Sequence, residues 1–469
     1  MGGGGLGAFS HRLARAFKHR GPTFRLQRVP REVVKTEVRA SKAGASLEAY
    51  VAEVEDLVRL AFARPELPPP TVRSISRVLG PEPADVLRTR VELVERRRGG
   101  IFLTPSTLAN RLSRGLSPNG DEVLDPACGA GDLLISYAKR LPVCSSLAET
   151  LTNWSAVLQG IDLDPLLIRL AKARLALLCR VRSGHADANA ADATWFQGVA
   201  VGDGMARLRR GSLPSLVLMN PPYRQSAAPG HYPHGTGLVT QAAVFAHNWW
   251  DAASAGDRVV ALLPDVLRSG ARYQKWRIAL REATSSLATE VVGQFDRWTD
   301  VDVFLLRAVA LGTTAEHGRS APTASPCDIV GNRYNISVGD VVPHRDKQIG
   351  PMRRYLHAKL LPLGGEFFGP AERRRSSGRI VRPPFVVVRR TSRPSSTHPR
   401  SPGVVIHGTR PIAVENHLIV IEPKRRSLRA CRELLRVLNQ PATTSWLNER
   451  IRCRHLTVDS LREIPWPKQ

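Results

Sequence analysis

Apolar runs and amphipathic patterns alternate along the middle of the chain, from about residue 98 to residue 313. Residues 121–141 predict a short strand, a loop of small residues and a helix. Further strands are predicted at Ala156–Gly160, at Gln197–Val201 and immediately before Asn220. Because strands that alternate with helices build parallel sheets, this region is expected to be α/β with a mainly parallel, doubly wound sheet.

The flanking regions have other patterns. Apolar residues at helical spacing, such as Leu47, Val51 and Val54, predict a helical N-terminal region. Near the C-terminus, valine-rich strands and a helix around Leu428–Leu438 predict an α+β region. The predicted organisation is a basic tail at 1–30, the helical region at 31–97, the α/β domain at 98–313, a linker rich in Thr, Ser, Gly and Pro at 314–350, and the α+β region at 351–469.

Composition agrees with a globular protein of two to three domains. The chain has 469 residues, of which 42% are hydrophobic, and no apolar run approaches the roughly 20 residues of a membrane span. Six scattered cysteines support neither a disulfide framework nor a zinc site, so a reducing cytoplasm and no metal or membrane are expected. They are Cys128, Cys144, Cys179, Cys327, Cys431 and Cys453.

Positive charge is concentrated at the two ends of the chain. The formal net charge is +27; residues 341–469 hold 26 basic and 9 acidic residues, and residues 1–30 hold six basic and no acidic residues. The surplus is therefore 17 and 6 at the ends, which leaves only 4 for the middle. A polyanionic partner is the physical expectation. The alternative is a general drift of composition towards arginine.

Acidic residues follow three successive predicted strands. Asp125 precedes a loop with Ala127, Gly129 and Gly131, and Asp162 and Asp203 follow the next two strands. Small residues let the backbone approach a ligand, and an acidic residue at the second strand end suits ribose hydroxyls. Each aspartate alone is also a common turn or N-cap residue. Three together favour a nucleotide-type site whose ligand is cationic near Asp125.

The tetrapeptide Asn220, Pro221, Pro222, Tyr223 suits chemistry on a planar amine. The Asn220 side-chain oxygen and the Pro221 carbonyl are two acceptors for the two N–H groups of an exocyclic amine, and proline fixes that carbonyl. Tyr223 offers a flat face for stacking a base. Without the upstream strand ends, Asn-Pro-Pro would more often be a turn.

These segments resemble the S-adenosylmethionine-dependent methyltransferases of the amino-methylating DNA group, which implies a class I methyltransferase-like fold. The resembling motifs are DPACGAG, IDLDP, GDGM and MNPPY, preceded by GIFLTP at residues 100–105, which resembles the G-x-F-x-T-P segment. Their order is similar to that of the gamma-ordered N6-adenine methylases of restriction-modification and related defence systems. The resemblance implies S-adenosylmethionine binding by Phe102, Thr104, Pro105, Asp125, Ala127, Gly129, Gly131, Asp162 and Asp203.

Weaker matches suggest contacts with the target. Residues 295–311 resemble the aromatic strand that closes the target pocket, so Trp298 or Phe304 is a candidate for packing on the base, although an ordinary sheet core explains both equally well. Arg389, Arg390 and Arg393 lie on a strand and basic loop suited to DNA, although a charge run is more often a solvated face.

The resulting hypothesis is transfer of a methyl group to the N6 amine of an adenine rotated out of double-stranded DNA. Asn-Pro-Pro-Tyr also occurs in methylases of protein glutamine and RNA bases, and a non-catalytic DNA-binding specificity subunit is a further alternative. Pro264-Asp265 lacks the additional acid of a nuclease motif, so any cleavage is expected from a separate nuclease. Whether a specificity subunit is required stays open.

Overall fold

The computed structural model describes residues 42–93, 96, 102–118, 121–190, 194–312, 328–392, 394, 398–452 and 454–467. The chain divides into a unit of residues Met1–Ala45 and a unit of residues Ser46–Gln469, and the features below belong to the second, apart from the first four residues of the first helix. The predicted basic tail at 1–30 lies outside the described residues.

Helices form the first part of the described chain. They are α1 (Lys42–Ala63), α2 (Pro69–Val78), α3 (Glu82–Arg90) and α4 (Ser106–Ser113). Their apolar sides, including Val51, Phe62 and Ile75, are buried in the same core as the helices on one face of the central sheet. The N-terminal helices therefore share a core with the α/β region.

The central sheet has seven strands in the order β3-β2-β1-β4-β7-β9-β8. The strands of this region are β1 (Val123–Asp125), β2 (Leu158–Asp162), β3 (Val199–Val201), β4 (Leu216–Met219), β5 (Gln225–Ala227), β6 (Leu238–Thr240), β7 (Arg258–Pro264), β8 (Thr284–Gln294) and β9 (Asp302–Ala310). Strands β3, β2, β1, β4 and β7 are parallel, whereas β9 and β8 continue the sheet antiparallel. This confirms the predicted mainly parallel sheet.

Helices cover both faces of this sheet. They are α5 (Asp132–Ala138), α6 (Leu147–Val157), α7 (Pro165–Ser183), α8 (Gly204–Arg209), α9 (Gln241–Ala252), α10 (Asp265–Ser269) and α11 (Gln274–Glu282). Two separate cores, one on each face, enclose the strands. The second strand begins two residues later than predicted, because Ala156 and Val157 complete α6. β5 and β6 form a small antiparallel hairpin.

The C-terminal region contains a five-stranded sheet, β10-β18-β15-β16-β12, and a four-stranded sheet, β13-β11-β17-β14. Its strands are β10 (Tyr334–Val338), β11 (Met352–Leu356), β12 (Gly365–Phe367), β13 (Arg373–Arg375), β14 (Ile380–Val381), β15 (Phe385–Arg389), β16 (Gly403–Ile406), β17 (Ile412–Val414) and β18 (Leu418–Pro423). Its helices are α12 (Val330–Arg333), α13 (Leu428–Leu438), α14 (Pro441–Arg450) and α15 (Val458–Arg462).

The predicted linker at 314–350 is wrong in its second half. β10 pairs antiparallel with β18 along its whole length, so residues from Val330 onward already belong to the C-terminal region. The Thr/Ser/Gly composition of the segment did not indicate this short strand, whose partner strand lies more than 80 residues further along the chain. Residues 313–327 lie outside the described residues.

A buried aspartate joins the C-terminal region to the central sheet. Asp265, which follows β7, is 1% exposed and accepts a hydrogen bond of 2.8 Å from the backbone N–H of Arg452. Arg268, one turn along α10, pairs with Asp265 and donates to the Glu449 carbonyl at 2.7 Å. Arg452 also pairs with Asp302 at the start of β9. The end of α14 is therefore fixed to the strand ends of the sheet.

Candidate active site

The polar residues predicted from the strand ends lie along one edge of the sheet. Asp162 and Asp125 are the last residues of β2 and β1, and Asn220 follows the last residue of β4. The strand order reverses between β1 and β4, since β2 lies on one side of β1 and β4 on the other. In doubly wound sheets, ligands bind at the carboxyl ends of the strands at such a reversal.

The loop after β1 is held close to the sheet by glycines. Gly129 and Gly131 have φ angles of +51° and +81°, in the left-handed region that favours glycine. Gly204, at the start of α8, packs so tightly that an added Cβ would lie 1.6 Å from the Pro126 carbonyl oxygen. The loop therefore presents backbone to a ligand, and the half-buried Ala127 adds only a methyl group.

Asp162 connects this loop to the neighbouring strand. Its Oδ2 accepts a hydrogen bond of 2.9 Å from the Gly129 N–H, and its Oδ1 accepts one of 3.0 Å from the Asp164 N–H. Burial raises the pKa of Asp162 above its usual value. A carboxylate offers about four lone-pair positions, so acceptors remain for two ribose hydroxyls. Its binding of ribose stays a prediction.

Asp125 is a buried carboxyl with acidic neighbours. It is 1% exposed, and its Oδ1 accepts a hydrogen bond of 3.2 Å from Ala127. Burial raises its pKa strongly, and the charges of Asp162 and Asp132 raise it further. A cationic ligand would reverse this effect by stabilising the carboxylate. The Asp125 carboxyl therefore suits the positively charged methionine part of S-adenosylmethionine.

Asp203 has a local structural role. It is exposed and caps α8, because its Oδ1 accepts hydrogen bonds from the Met205 N–H at 2.9 Å and the Ala206 N–H at 3.3 Å. This is the N-cap role that the sequence left open. Its contact with the adenine of a cofactor stays a prediction.

The segment around Thr104 meets both the loop and the tetrapeptide. Thr104 is 7% exposed; its N–H donates to Asp132 at 3.0 Å, and its hydroxyl accepts a hydrogen bond of 2.9 Å from the Asn220 side-chain amide. Of its predicted partners in cofactor binding, Phe102 packs on the edge of the core and Pro105 precedes α4. Two motifs 116 residues apart in sequence are thus in direct contact.

Asn220 is held from both sides of its amide. While its Nδ2 donates to Thr104, its Oδ1 accepts a hydrogen bond of 2.8 Å from the Tyr223 hydroxyl, which also contacts the Leu262 carbonyl at 3.2 Å. Burial raises the pKa of Tyr223 well above its ordinary range, so the hydroxyl keeps its proton. Within the described residues, no hydrogen bond is made to the Pro221 carbonyl. Pro221 is buried and Pro222 half-buried.

The aromatic neighbour of Tyr223 is Phe295, which the sequence did not single out. The two rings are 6.1 Å apart at 86°, in edge-to-face contact, and Phe295 is 4% exposed. Phe304 is 1% exposed within the sheet core, so its predicted packing on a target base is wrong. Trp298 is 57% exposed at the β8–β9 turn, with Arg297 over its ring. Its contact with a base stays a prediction.

A buried arginine that the sequence did not indicate supports the loop after β1, residues 126–131, called here the cofactor loop because its residues are predicted to bind the cofactor. Arg174 of α7 is 1% exposed; it donates to the Val78 carbonyl at 2.9 Å, to the Ala130 carbonyl at 2.5 Å and to Asp132 at 2.9 Å. Asp132 in turn holds Thr104. One guanidinium therefore ties the N-terminal helices to the loop and, through Asp132, to the segment that contacts Asn220.

The arginines predicted to contact DNA are placed differently. Arg389, at the end of β15, donates hydrogen bonds to the carbonyls of Pro362, Ala358 and Leu361, so it holds a neighbouring turn. Arg390 is half-buried next to β18. Arg393 lies outside the described residues.

The described residues hold neither a candidate metal site nor a candidate membrane span. They contain no group of three or more His, Cys, Asp or Glu side chains arranged to hold a metal ion. None of their helices combines the length and the apolar character that crossing a membrane requires.

Residues 89–229 match the family model described as N-6 DNA Methylase. This segment of the chain is similar to N-6 DNA methylases. The matched segment runs from α3 to the strand after Tyr223, so it includes Thr104, the cofactor loop and the tetrapeptide. No curated protein is significantly similar to this chain.

The solved structures to which this chain is similar include the following three. The type IIG restriction endonuclease BpuSI is 12% identical, with 91% of this chain and 70% of that chain covered and a TM-score of 0.42. A candidate class I S-adenosylmethionine-dependent methyltransferase from Listeria monocytogenes is 16% identical, with 60% and 86% covered and a TM-score of 0.37. The EcoKI M protein of a type I restriction enzyme is 15% identical, with 58% and 68% covered and a TM-score of 0.33. At these values the likeness gives no information on substrate or partner.

Proposed function

We propose that this protein transfers a methyl group from S-adenosylmethionine to the N6 amine of an adenine in double-stranded DNA. The observation that carries the proposal is the chain of hydrogen bonds from Thr104 through Asn220 to Tyr223, which fixes the position of the Asn220 side-chain oxygen. The neighbouring Pro221 carbonyl accepts no hydrogen bond from the described residues. The family match to N-6 DNA methylases supports the proposal.

The two acceptors determine what the site does to the amine. Hydrogen bonds from its two N–H groups to the Asn220 and Pro221 oxygens draw electron density towards nitrogen and orient its lone pair. S-adenosylmethionine would supply the methyl group from its sulfonium, whose sulfur keeps the electron pair of the broken S–C bond, and the methylated amine would release one proton. Asp125 would lie near the cationic part of that group and Asp162 near its ribose. Alignment of the two reactants accounts for most of the rate gain.

Adenine enters such a site only outside the base stack. Rotation out of the duplex costs a few kcal/mol, which contacts in the pocket offset. The Tyr223 ring, supported edge-on by Phe295, is the flat surface on which the base stacks. The charge surplus of 17 in residues 341–469 supports DNA as the carrier of that base. DNA as substrate implies action in the cytoplasm, and a separate nuclease or specificity subunit is a proposed partner.

The test uses the purified full chain with labelled S-adenosylmethionine and four acceptors: duplex DNA, single-stranded DNA, RNA and a glutamine peptide. We expect N6-methyladenine in duplex DNA, detected by sequencing that reads modified bases. Methylation of RNA or peptide with unmodified DNA would contradict the substrate. A variant set separates the roles of the residues.

Asn220→Ala should abolish transfer and retain cofactor binding, whereas Asp125→Ala and Asp162→Ala should weaken cofactor binding. Asn335→Ala, an exposed asparagine on β10, is the matched control and should behave like the wild type. Equal loss of cofactor binding in the Asn220, Asp125 and Asp162 variants would overturn the assignment of roles.

A further inference from the structure

A basic surface lies at the edge of the four-stranded sheet in the C-terminal region. β13 is the edge strand and pairs antiparallel with β11, with Arg373 opposite Arg354 and Arg375 opposite Met352. Residues directly opposite each other in such a pair, and residues two apart on one strand, share a face of the sheet. Met352, Arg354, Arg373 and Arg375 therefore form one surface, called here the arginine face.

The arginine face lacks internal counter-charges. Among the described residues, none of its three arginines forms an ion pair; Arg375 donates one hydrogen bond of 3.1 Å to the Gly350 carbonyl. Like charges directly opposite on two strands destabilise a sheet. Charges on an edge strand protect it from pairing with other chains, but β11 is an inner strand, so this does not explain Arg354.

The opposite face of the same strands shows the contrast. Arg374 donates hydrogen bonds to the carbonyls of Pro343 and Asp346 and stands 5.7 Å over the ring of Tyr355. The charge of Arg374 is thus satisfied by groups within the protein. The arginine face is the side of this strand pair whose charges are directed towards an external partner.

An exposed aromatic ring lies beside this face. Phe368 is 77% exposed, and its ring stacks on His407 at 4.6 Å and 24°, which holds it in place. The next residue, Gly369, lies against Arg354, because a Cβ there would be 3.2 Å from the Arg354 Nη1. Basic side chains next to an apolar ring suit a ligand that has both phosphates and bases.

We infer that the arginine face, with Phe368 at its border, binds the phosphate backbone of duplex DNA. This rests on the proposed function and replaces Arg389, which holds a neighbouring turn, as a principal contact of the C-terminal region. Phosphates relieve the repulsion between Arg354 and Arg373. Phe368 contacts sugar or base edges next to them.

The test measures binding of the full chain to a labelled duplex at several salt concentrations. The triple variant R354Q/R373Q/R375Q should lower the slope of log affinity against log salt by about 3, one unit for each phosphate contact. The matched control R59Q/R77Q/R88Q removes the same charge from arginines already paired with Asp56, Glu82 and Asp85. Its slope should remain within one unit of the wild type.

Two further measurements separate binding from structure. Because the triple variant loses a repulsion, its unfolding temperature should equal or exceed that of the wild type, and its cofactor affinity should not change. Phe368→Ala should weaken DNA binding several-fold with an unchanged salt slope, since the ring carries no charge.

The outcomes distinguish a failure of this binding surface from a failure of the proposed function. If the wild type methylates duplex DNA and the triple variant binds it with an unchanged slope, the arginine face is not the contact, although the function holds. If the wild type neither binds nor methylates duplex DNA, the function itself fails. Equal losses for RNA and duplex DNA would overturn the assignment to DNA.

Discussion

The Tyr223 hydroxyl donates a hydrogen bond of 2.8 Å to the Asn220 side-chain oxygen, the atom proposed to accept an amine hydrogen. An amide oxygen has two lone pairs, so it accepts both at once. Tyr223 thereby fixes the direction of the acceptor as well as offering a ring to the base.

Separating these two roles requires two variants. Tyr223→Phe keeps the ring and loses the hydrogen bond, worth about 1 kcal/mol, so kcat should fall roughly fivefold. Tyr223→Ala also loses stacking, worth about 1–3 kcal/mol, so its kcat should fall roughly 5- to 150-fold further. Tyr334→Phe, which removes a hydroxyl bonded to the Ala430 carbonyl, is the control. Equal rates for the two Tyr223 variants would contradict the stacking role.

Arg174→Met should destabilise the protein by about 3–5 kcal/mol, because Asp132 loses a buried partner. The double variant R174M/D132N should be less destabilised than the sum of the single variants. Chemical denaturation measures this, and cofactor titration should show weaker binding, since Ala130 and Thr104 lose their support. Strict additivity would show that the two side chains are not coupled.

Gly204→Ala tests the close approach beneath the cofactor loop. Its Cβ would lie 1.6 Å from the Pro126 oxygen, so the loop must move and cofactor affinity should fall at least tenfold. Gly230→Ala is the control, because nothing lies within 4 Å of its Cβ, and stability there should change by about 0.5 kcal/mol or less. Wild-type affinity in the Gly204 variant would show that loop position is unimportant.

Acid should loosen the segment after the tetrapeptide. Burial and the neighbouring His247 lower the pKa of His234 from 6.5 to about 4, and burial also lowers the pKa of His247. Between about pH 4 and 6.5 the unfolded chain binds more protons, so stability rises with pH across this window. After correction for base-catalysed intrinsic exchange, the protection factors of residues 228–237 should be lower at pH 5 than at pH 7. His234→Gln should reduce the difference, and an unchanged difference would assign it to other groups.

The strand-end residues were predictable because they depend on local pattern and on one topological rule. Short apolar runs located β1 and β4, and parallel strands bring Asp125 and Asn220 to one edge whatever the tertiary detail. Nothing in the spacing predicts that Thr104 contacts Asn220. Only the resemblance to known methylases assigned both segments to the same site.

Residues whose role depends on burial were not predictable. Arg174 stands in a leucine-rich helix, where an arginine normally faces solvent, and its burial follows from packing against α2. Phe304 and Phe295 are equally aromatic in sequence, yet one lies inside the sheet and the other against Tyr223. Arg389 likewise donates to three carbonyls, whereas among the described residues the Arg354 guanidinium donates to none.

The link between Asp265 and Arg452 limits how this chain can be recombined. A chimera that exchanges the C-terminal region for that of a relative imports a new segment at 449–452 opposite an unchanged, buried aspartate. In the graft, Arg268 and Ser269 still contact the Asp265 carboxylate, but the hydrogen bond from the N–H of residue 452 forms only if the new segment brings its backbone to the same place. The junction of such a chimera therefore has to include α10, the five-residue helix that follows β7.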